Sequence, residues 1–402
     1  MNNRSLQYNL KTITLFWTLL SLGSVLIIFH PRLYDFVFLV LAFLLSILTK
    51  AKISKKIVFI TTAIIAVYLL QAWITSTQLV QCVGLILKII MAMLLLIAFK
   101  YDYKDMAKHL HRALSFLMIL GVVNFLLVLL VNSWFVTIKI DVVDGNYTTR
   151  SLGYLFNTLS VYDFHYFIIP RNQGPFWEPG IFQGLMNLLI YIILIEQRQK
   201  ISKAIIPSLL VISTFSTTGL ILLAILLIIK ILRDYTLTKT VVAGLLCSPL
   251  ILVFSIMMIK NIDEKFHGGG YTSSFSRTFD IFAGIKITKS YPITGIGYNA
   301  KKYLDVVAKE KIQIHNRTES LRRGNTNSIA LLFCYFGIPL ALYLLYKLYN
   351  QHLFSQKAFF FIIIFLFIFT VPMIPSYFII LLMLSSIKVN QTKNFPKDHQ
   401  NI

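Results

Sequence analysis

Leu79-Val-Gln-Cys82-Val-Gly-Leu85-Ile-Leu-Lys88-Ile-Ile-Met91-Ala-Met-Leu-Leu-Leu-Ile-Ala-Phe99 is a long apolar run interrupted by one charge. As a helix it rises about 30 Å, the thickness of a bilayer's hydrocarbon core. Comparable runs recur on both sides of it, at roughly 12–29, 33–49, 57–75, 114–131, 177–195, 203–214, 217–232, 240–259, 327–347, 358–370 and 375–388. The pattern predicts an all-α polytopic membrane protein of about 12 transmembrane helices with two large extracytoplasmic loops. A transmembrane barrel would show short alternating segments instead. Composition agrees: 57% of the 402 residues are hydrophobic and 13% are charged, against about 25% charged in soluble domains.

The chain divides accordingly. Residues 1–131 carry helices one to five, and 132–176 form the first extracytoplasmic loop. Residues 177–259 carry helices six to nine, 260–326 form the second loop, and 327–402 hold the last helices and a cytoplasmic tail. The seventh span is short and contains Pro207, with Ser213-Thr-Phe-Ser-Thr-Thr-Gly219 after it. It reads as a re-entrant or broken helix, tolerated at membrane depth where protein or a cavity surrounds it.

The net charge is +22, a value that in a soluble protein suggests nucleic acid. Here most basic residues sit beside spans, so membrane orientation and anionic lipid explain many of them, and no nucleic-acid partner is expected. Lys50, Lys52, Lys55 and Lys56 crowd one short loop, and Lys100, Lys104, Lys108 and Arg112 another. Arg198, Lys200 and Lys203, then Lys230, Arg233 and Lys239, continue the series, whereas the intervening short loops hold only Arg32. The positive-inside rule then places both termini in the cytoplasm. Cys82, Cys247 and Cys334 all fall in apolar segments, so no disulfide framework is suggested. The first apolar run lacks a small-residue cleavage site and reads as a retained span.

Arg171-Asn-Gln-Gly-Pro-Phe-Trp-Glu178-Pro-Gly180 sets a cation and a carboxylate at the outer mouth of the sixth helix. Ionisable groups near lipid face a bundle interior or a water-filled cavity, so this segment reads as the wall of a site. The second loop holds 12 Lys/Arg against 6 Asp/Glu. Long loops are exempt from the charge rule, which leaves an anionic ligand or nearby headgroups as the reason. Phosphate or diphosphate is the natural anion for arginine forks.

Within that loop Ser276-Arg277-Thr-Phe-Asp280 opens a short amphipathic segment. It ends at Tyr291-Pro-Ile-Thr-Gly-Ile-Gly297-Tyr298-Asn299, a turn where backbone can approach a ligand. Lys88 stands mid-span, where a lysine costs about 2.5–3.5 kcal/mol on insertion scales, so it should meet a carboxylate, a carbonyl or the ligand. His315 is a chemically reasonable base or a plain loop residue. Asn327 opens the tenth span, where it could cap the helix or bind a ligand hydroxyl. The first loop is rich in aromatics, including Tyr147, Tyr154, Phe156 and Tyr162, and reads as an interfacial belt or a set of sugar-stacking faces. No metal motif and no cofactor motif is present.

The ordered set is more specific than its members. Arg171 to Gly180, then Ser216-Thr-Thr-Gly219, Arg277, Pro292-Ile-Thr-Gly295-Ile-Gly297, and Asn327-Ser-Ile-Ala-Leu with Phe336-Gly337-Ile338 follow one another. This order, over roughly residues 170–345, resembles the O-antigen polymerase and ligase superfamily of bacterial surface polysaccharide assembly. The resemblance implies a glycosyltransferase of the bacterial cytoplasmic (inner) membrane with its active site outside. The donor would be a glycan on undecaprenyl diphosphate, moved to a lipid-linked repeat unit by a polymerase or to lipid A core by a ligase. Family arginines matching Arg171 and Arg277 would hold the diphosphate. The family's common His-Asn pair stands here as Thr326-Asn327, which weakens a histidine base and the ligase reading most. Catalytic candidates are thus Glu178 and His315. Lys88, Tyr298 and Asn327 join the two arginines as candidates for binding diphosphate or glycan. Expected partners are the undecaprenyl-diphosphate-linked oligosaccharide, membrane lipid and a chain-length regulator. A flippase of lipid-linked oligosaccharide is the competing class, although the chain shows no internal repeat.

Overall fold

The computed structural model describes residues 3–50, 53–142, 145–158, 161–163, 168–234, 271–309, 325, 327–370 and 376–387. They are mostly helical. Helices α1 (Asn3–Leu20) and α2 (Val25–Phe29) precede three long apolar helices, α3 (Pro31–Thr49), α4 (Lys55–Ile74) and α5 (Leu79–Ala98). Helix α6 (Tyr103–Leu130) closes the first half. Helices α7 (Pro179–Tyr191), α8 (Ile205–Ser213) and α9 (Thr217–Asp234) follow the first long connection. Next come α10 (Tyr271–Ser290) and α11 (Ala300–Lys309). Helices α12 (Ser328–Tyr349), α13 (Lys357–Thr370) and α14 (Tyr377–Leu384) complete the described chain.

Six described segments are long and apolar enough to cross a membrane: α3, α4, α5, α6, α12 and the stretch Pro179–Glu196 that extends α7. Their outward faces carry Phe36, Phe43, Phe59, Trp73 and Val80, all well exposed. So many exposed large apolar side chains on long apolar helices suit a hydrocarbon solvent rather than water. The chain is therefore a helical membrane protein. The ninth expected span, 240–259, lies outside the described residues.

Several elements differ from the sequence expectation, each for a local reason. The first expected span is broken at 21–24, where Ser24 caps α2 by accepting from the Ile27 amide. Helix α6 starts eleven residues earlier than the apolar run at 114, because Asp102 caps it and accepts from the Lys104 and Asp105 amides. Asp105 in the first turn also offsets the dipole against the nearby lysines. The aromatic-rich loop contains strands: β1 (Val136–Val142), β2 (Gly145–Leu152) and β3 (Phe156–Thr158) form an antiparallel sheet, and β4 (Val161–Asp163) pairs with β5 (Ile168–Pro170). Val136-Thr-Ile-Lys-Ile-Asp-Val142 alternates β-branched apolar with polar residues, the period of a strand with two unlike faces. The amphipathic segment at 276 is part of a full 20-residue helix, α10.

Helix α7 lies at the centre of the second half, packed on α6, α8, α9 and α13, and every residue from Ile181 to Ile195 is buried. Lipid tails are as apolar as these side chains, so close approach has to supply the attraction between helices. Gly184 allows it: a Cβ there would lie 1.9 Å from the Phe367 ring. The Arg171–Gly180 segment thus leads directly into the most enclosed helix of the protein.

Candidate functional site

The chain leaves β5 at Pro170 and is fixed at once. Arg171 donates from Nε to the Thr214 carbonyl at 2.8 Å and from Nη2 to the Phe215 carbonyl at 3.4 Å. These carbonyls belong to the break between α8 and α9, where Phe215 takes φ +47°. A broken helix exposes carbonyls that need donors, and a guanidinium offers donors in a rigid plane. The Asn172 amide adds a bond to the Ser213 carbonyl at 2.9 Å. Its side chain donates to the Gly121 carbonyl and the Ser213 hydroxyl, and accepts from Asn124 and the Gly174 amide. Segment 171–174 is thereby tied to α6 and to the α8–α9 break at once.

The next residues cross the break between α1 and α2. Val25 donates to the Pro175 carbonyl at 3.1 Å, and Trp177 donates to the Gly23 carbonyl at 3.0 Å. Glu178 then takes the N-cap position of α7 with extended backbone (φ −127°, ψ 142°), and Pro179 occupies the first helical position. The Glu178 carboxylate makes no capping bond to the α7 amides. It is half-buried, as is Arg171. The fully buried Gln173 between them has neither of its amide atoms in a hydrogen bond.

A second assembly is built around a kink in α12. Gly337 has φ 72° and ψ 173° inside that helix, and Pro339 follows. The break frees carbonyls, and the Pro292–Gly297 turn uses them. Ile296 donates to the Cys334 carbonyl at 2.8 Å and Gly297 to the Tyr335 carbonyl at 3.1 Å, while Ile338 donates back to the Pro292 carbonyl at 2.7 Å. Glycine is required on both sides: a Cβ on Gly295 would meet the Cys334 carbonyl oxygen at 2.5 Å, and one on Gly337 the Ile293 oxygen at 2.3 Å. Gln71 of α4 donates to the Thr294 and Tyr335 carbonyls at 2.6 and 2.5 Å. Two motifs far apart in sequence are therefore one structural joint.

Tyr298 follows this turn, half-buried, its ring edge-on to Tyr335 with centroids 5.4 Å apart. Asn327 caps α12: its Oδ1 accepts from the Ile329 and Ala330 amides, both at 3.0 Å. Of its two expected roles, geometry displays the cap. Asn325 accepts from the Asn327 amide and donates to the Asp280 carbonyl and the Tyr303 hydroxyl, joining α10 and α11 to the start of α12. A cleft of about 590 Å³ runs between α10 and α12, lined by Thr288, Lys289, Pro292 and Asn327 among others. Lys302 of α11 donates to the Thr75 carbonyl at the end of α4 at 2.5 Å, and burial pulls its ammonium below the usual lysine range.

The remaining candidates stand elsewhere. The Arg277 backbone belongs to α10, but its side chain lies outside the description, as does His315 entirely. Lys88 sits over the Tyr377 ring, 5.7 Å from its centroid, and the Tyr377 hydroxyl donates to Asp35 at 2.5 Å. Those neighbours belong to α14 and α3, not to the segments bearing Arg171 or Asn327. Sequence reading passed over Gln71, Asn172, Gln173 and Asn325, since an isolated amide in a span or loop carries no spacing signal. Among the described residues no group of three or more His, Cys, Asp or Glu comes together as a metal site. Compared with known proteins, the chain matches no family model and no curated protein.

Proposed function

We propose that this protein is a polysaccharide polymerase of the bacterial cytoplasmic membrane, with twelve spans, both termini inside and the long loops outside. It transfers a glycan from undecaprenyl diphosphate to a lipid-linked repeat unit. The observation that carries this reading is the fixed guanidinium plane of Arg171, in the segment that leads to Glu178 at the mouth of the central helix. Transfer with inversion needs an acceptor hydroxyl to attack the anomeric carbon as the bond to the diphosphate oxygen breaks. The departing diphosphate takes the electron pair, and preorganised cations stabilise it. Arg171 and Arg277 are assigned that charge, and Glu178 or His315 receives the hydroxyl proton. The kink joint holds Tyr298 and Asn325 holds the start of α12, and together these are assigned as the glycan-facing wall. A ligase of the same superfamily would use the same donor and a different acceptor.

A flippase of lipid-linked oligosaccharide has one observation in its favour. Lys88, Tyr377 and Asp35 form an ionisable group among membrane helices, a common feature of transport pathways. Cells lacking the protein separate the two. Loss of a polymerase leaves single lipid-linked repeat units on the outer face, whereas loss of a flippase strands them inside. Stranding inside would overturn the polymerase reading.

A further inference from the structure

Lys104, Lys108 and Arg112 follow one another at four-residue spacing, so they share one face of α6. The same face continues past Arg112 through Phe116, Ile119 and Val123, all of them exposed. Cations therefore give way to apolar side chains along a single stripe, at the point where the apolar run of α6 begins. We propose that this stripe, with the neighbouring face of α1, is a binding site for one anionic phospholipid. The phosphodiester lies against the three cations, and an acyl chain runs along Phe116, Ile119 and Val123.

Helix α1 packs against α6 and backs both ends of the stripe. The Arg112 guanidinium carbon lies 4.1 Å from the centroid of the Tyr8 ring, and the Lys108 ammonium lies 6.0 Å from it. Two turns along α1, Phe16 meets Phe116 edge to face, with centroids 5.0 Å apart. The acids nearby are already engaged. Asp102 accepts from the Lys104 and Asp105 amides at the cap of α6. Asp105 is bonded to Lys11 at 2.5 Å, and its other oxygen lies 3.5 Å from His109. Among the described residues no carboxylate is within ion-pair distance of Lys104, Lys108 or Arg112, and the Arg112 Nη1 has no hydrogen-bond partner. Like charges on consecutive helical turns repel one another, and a phosphate between them turns that repulsion into charge-assisted bonds. A free phosphate would leave the apolar half of the stripe uncovered, whereas a lipid matches both halves. These cations belong to the side expected to be cytoplasmic, the leaflet face where anionic headgroups attract basic segments.

The test uses the full-length protein in phosphatidylcholine nanodiscs that carry a trace of diazirine-bearing phosphatidylglycerol. Photolysis should label peptides of α1 and α6, and unlabelled phosphatidylglycerol in the same bilayer should compete. Lys104 and Lys108 are exposed, so Lys104→Gln combined with Lys108→Gln leaves the core intact. Labelling should then fall about twentyfold, roughly fivefold for each cation. Lys200→Gln combined with Lys203→Gln removes the same charge from two exposed positions before α8 and should leave labelling unchanged. Equal loss in both double variants would mean that bulk surface charge draws the probe. Equal labelling by a diazirine-bearing phosphatidylcholine would mean that any bilayer lipid fits. Competition by glycerol 3-phosphate would assign the cations to a free phosphate compound. Cross-linking of two copies through Ile119→Cys would assign the stripe to a dimer contact. Any of these four results, or full labelling of the Lys104 and Lys108 double variant, overturns the proposal. The labelling reads lipid occupancy without sugar transfer, so its outcome is separate from that of the polymerase reading.

Discussion

The Ile338 amide donates to the Pro292 carbonyl at 2.7 Å, one residue past the kink at Gly337. In an unbroken helix that amide would bond four residues back, to Cys334; here the Cys334 carbonyl is taken by Ile296 instead. Loop and span exchange hydrogen bonds, so the break in α12 is satisfied internally and can lie beside lipid.

Gly337→Ala tests how much that exchange depends on glycine. The φ of 72° with ψ of 173° is a region left almost entirely to glycine, and occupying it costs a residue about 1–3 kcal/mol. The contact with the Ile293 oxygen adds to this. The unfolding midpoint in detergent should drop clearly, and an unchanged midpoint would mean the kink is not as described.

Gln71→Leu removes two donors while keeping most of the volume. Buried carbonyls that lose a donor cost about 1–3 kcal/mol, so stability should fall by that order. Thermal melting of the purified variant measures it. Gln71→Glu should be worse than leucine, because a carboxylate would face two carbonyl oxygens.

Lys302 gives a pH signature. Its folded pKa is lowered from 10.5 by burial, so below the folded value the charged amine penalises the fold by a constant amount. Between the lowered value and 10.5 the unfolded chain binds more protons, and stability rises with pH. Lys302→Gln should flatten that alkaline rise in melting temperature.

Asp35 and Lys88 should behave as coupled groups through Tyr377. Both charges are half-buried, so removing one should cost less than the roughly 3–5 kcal/mol of a fully buried pair, while still leaving the other uncompensated. Asp35→Asn should therefore destabilise the protein much more when Lys88 is present than in a Lys88→Met background. Additive effects in the double-mutant cycle would show the two to be independent.

Long apolar runs made α3, α4, α5 and α12 legible almost to the residue, because span length is set by bilayer thickness. Breaks were harder to read. Gly23 sits in a sequence that is locally helix-compatible, and its conformation is fixed by bonds to 175–177, far along the chain, whereas the break at Phe215 falls between the spans expected at 203–214 and 217–232. The strands at 136–152 carried a period-2 signal, but one of a few residues within a long connection. Of the site, the mouth of α7 and the turn at 292–297 were visible as Pro and Gly clusters. Their partners Asn172, Gln71 and Asn325 were not, since each acts through a carbonyl that sequence does not mark.

Transfer by the purified protein tests the central claim most directly. Supplied with a polyprenyl-diphosphate-linked repeat unit, the wild-type chain should form polymer and release polyprenyl diphosphate. Arg171→Ala also strips donors from the Thr214 and Phe215 carbonyls, so it should be less stable, and at temperatures where it stays folded it should still lose most of that activity. Arg171→Lys should restore little, because a lysine ammonium cannot reproduce a planar fork. Wild-type levels of polymer from a well-folded Arg171→Ala protein would contradict the account.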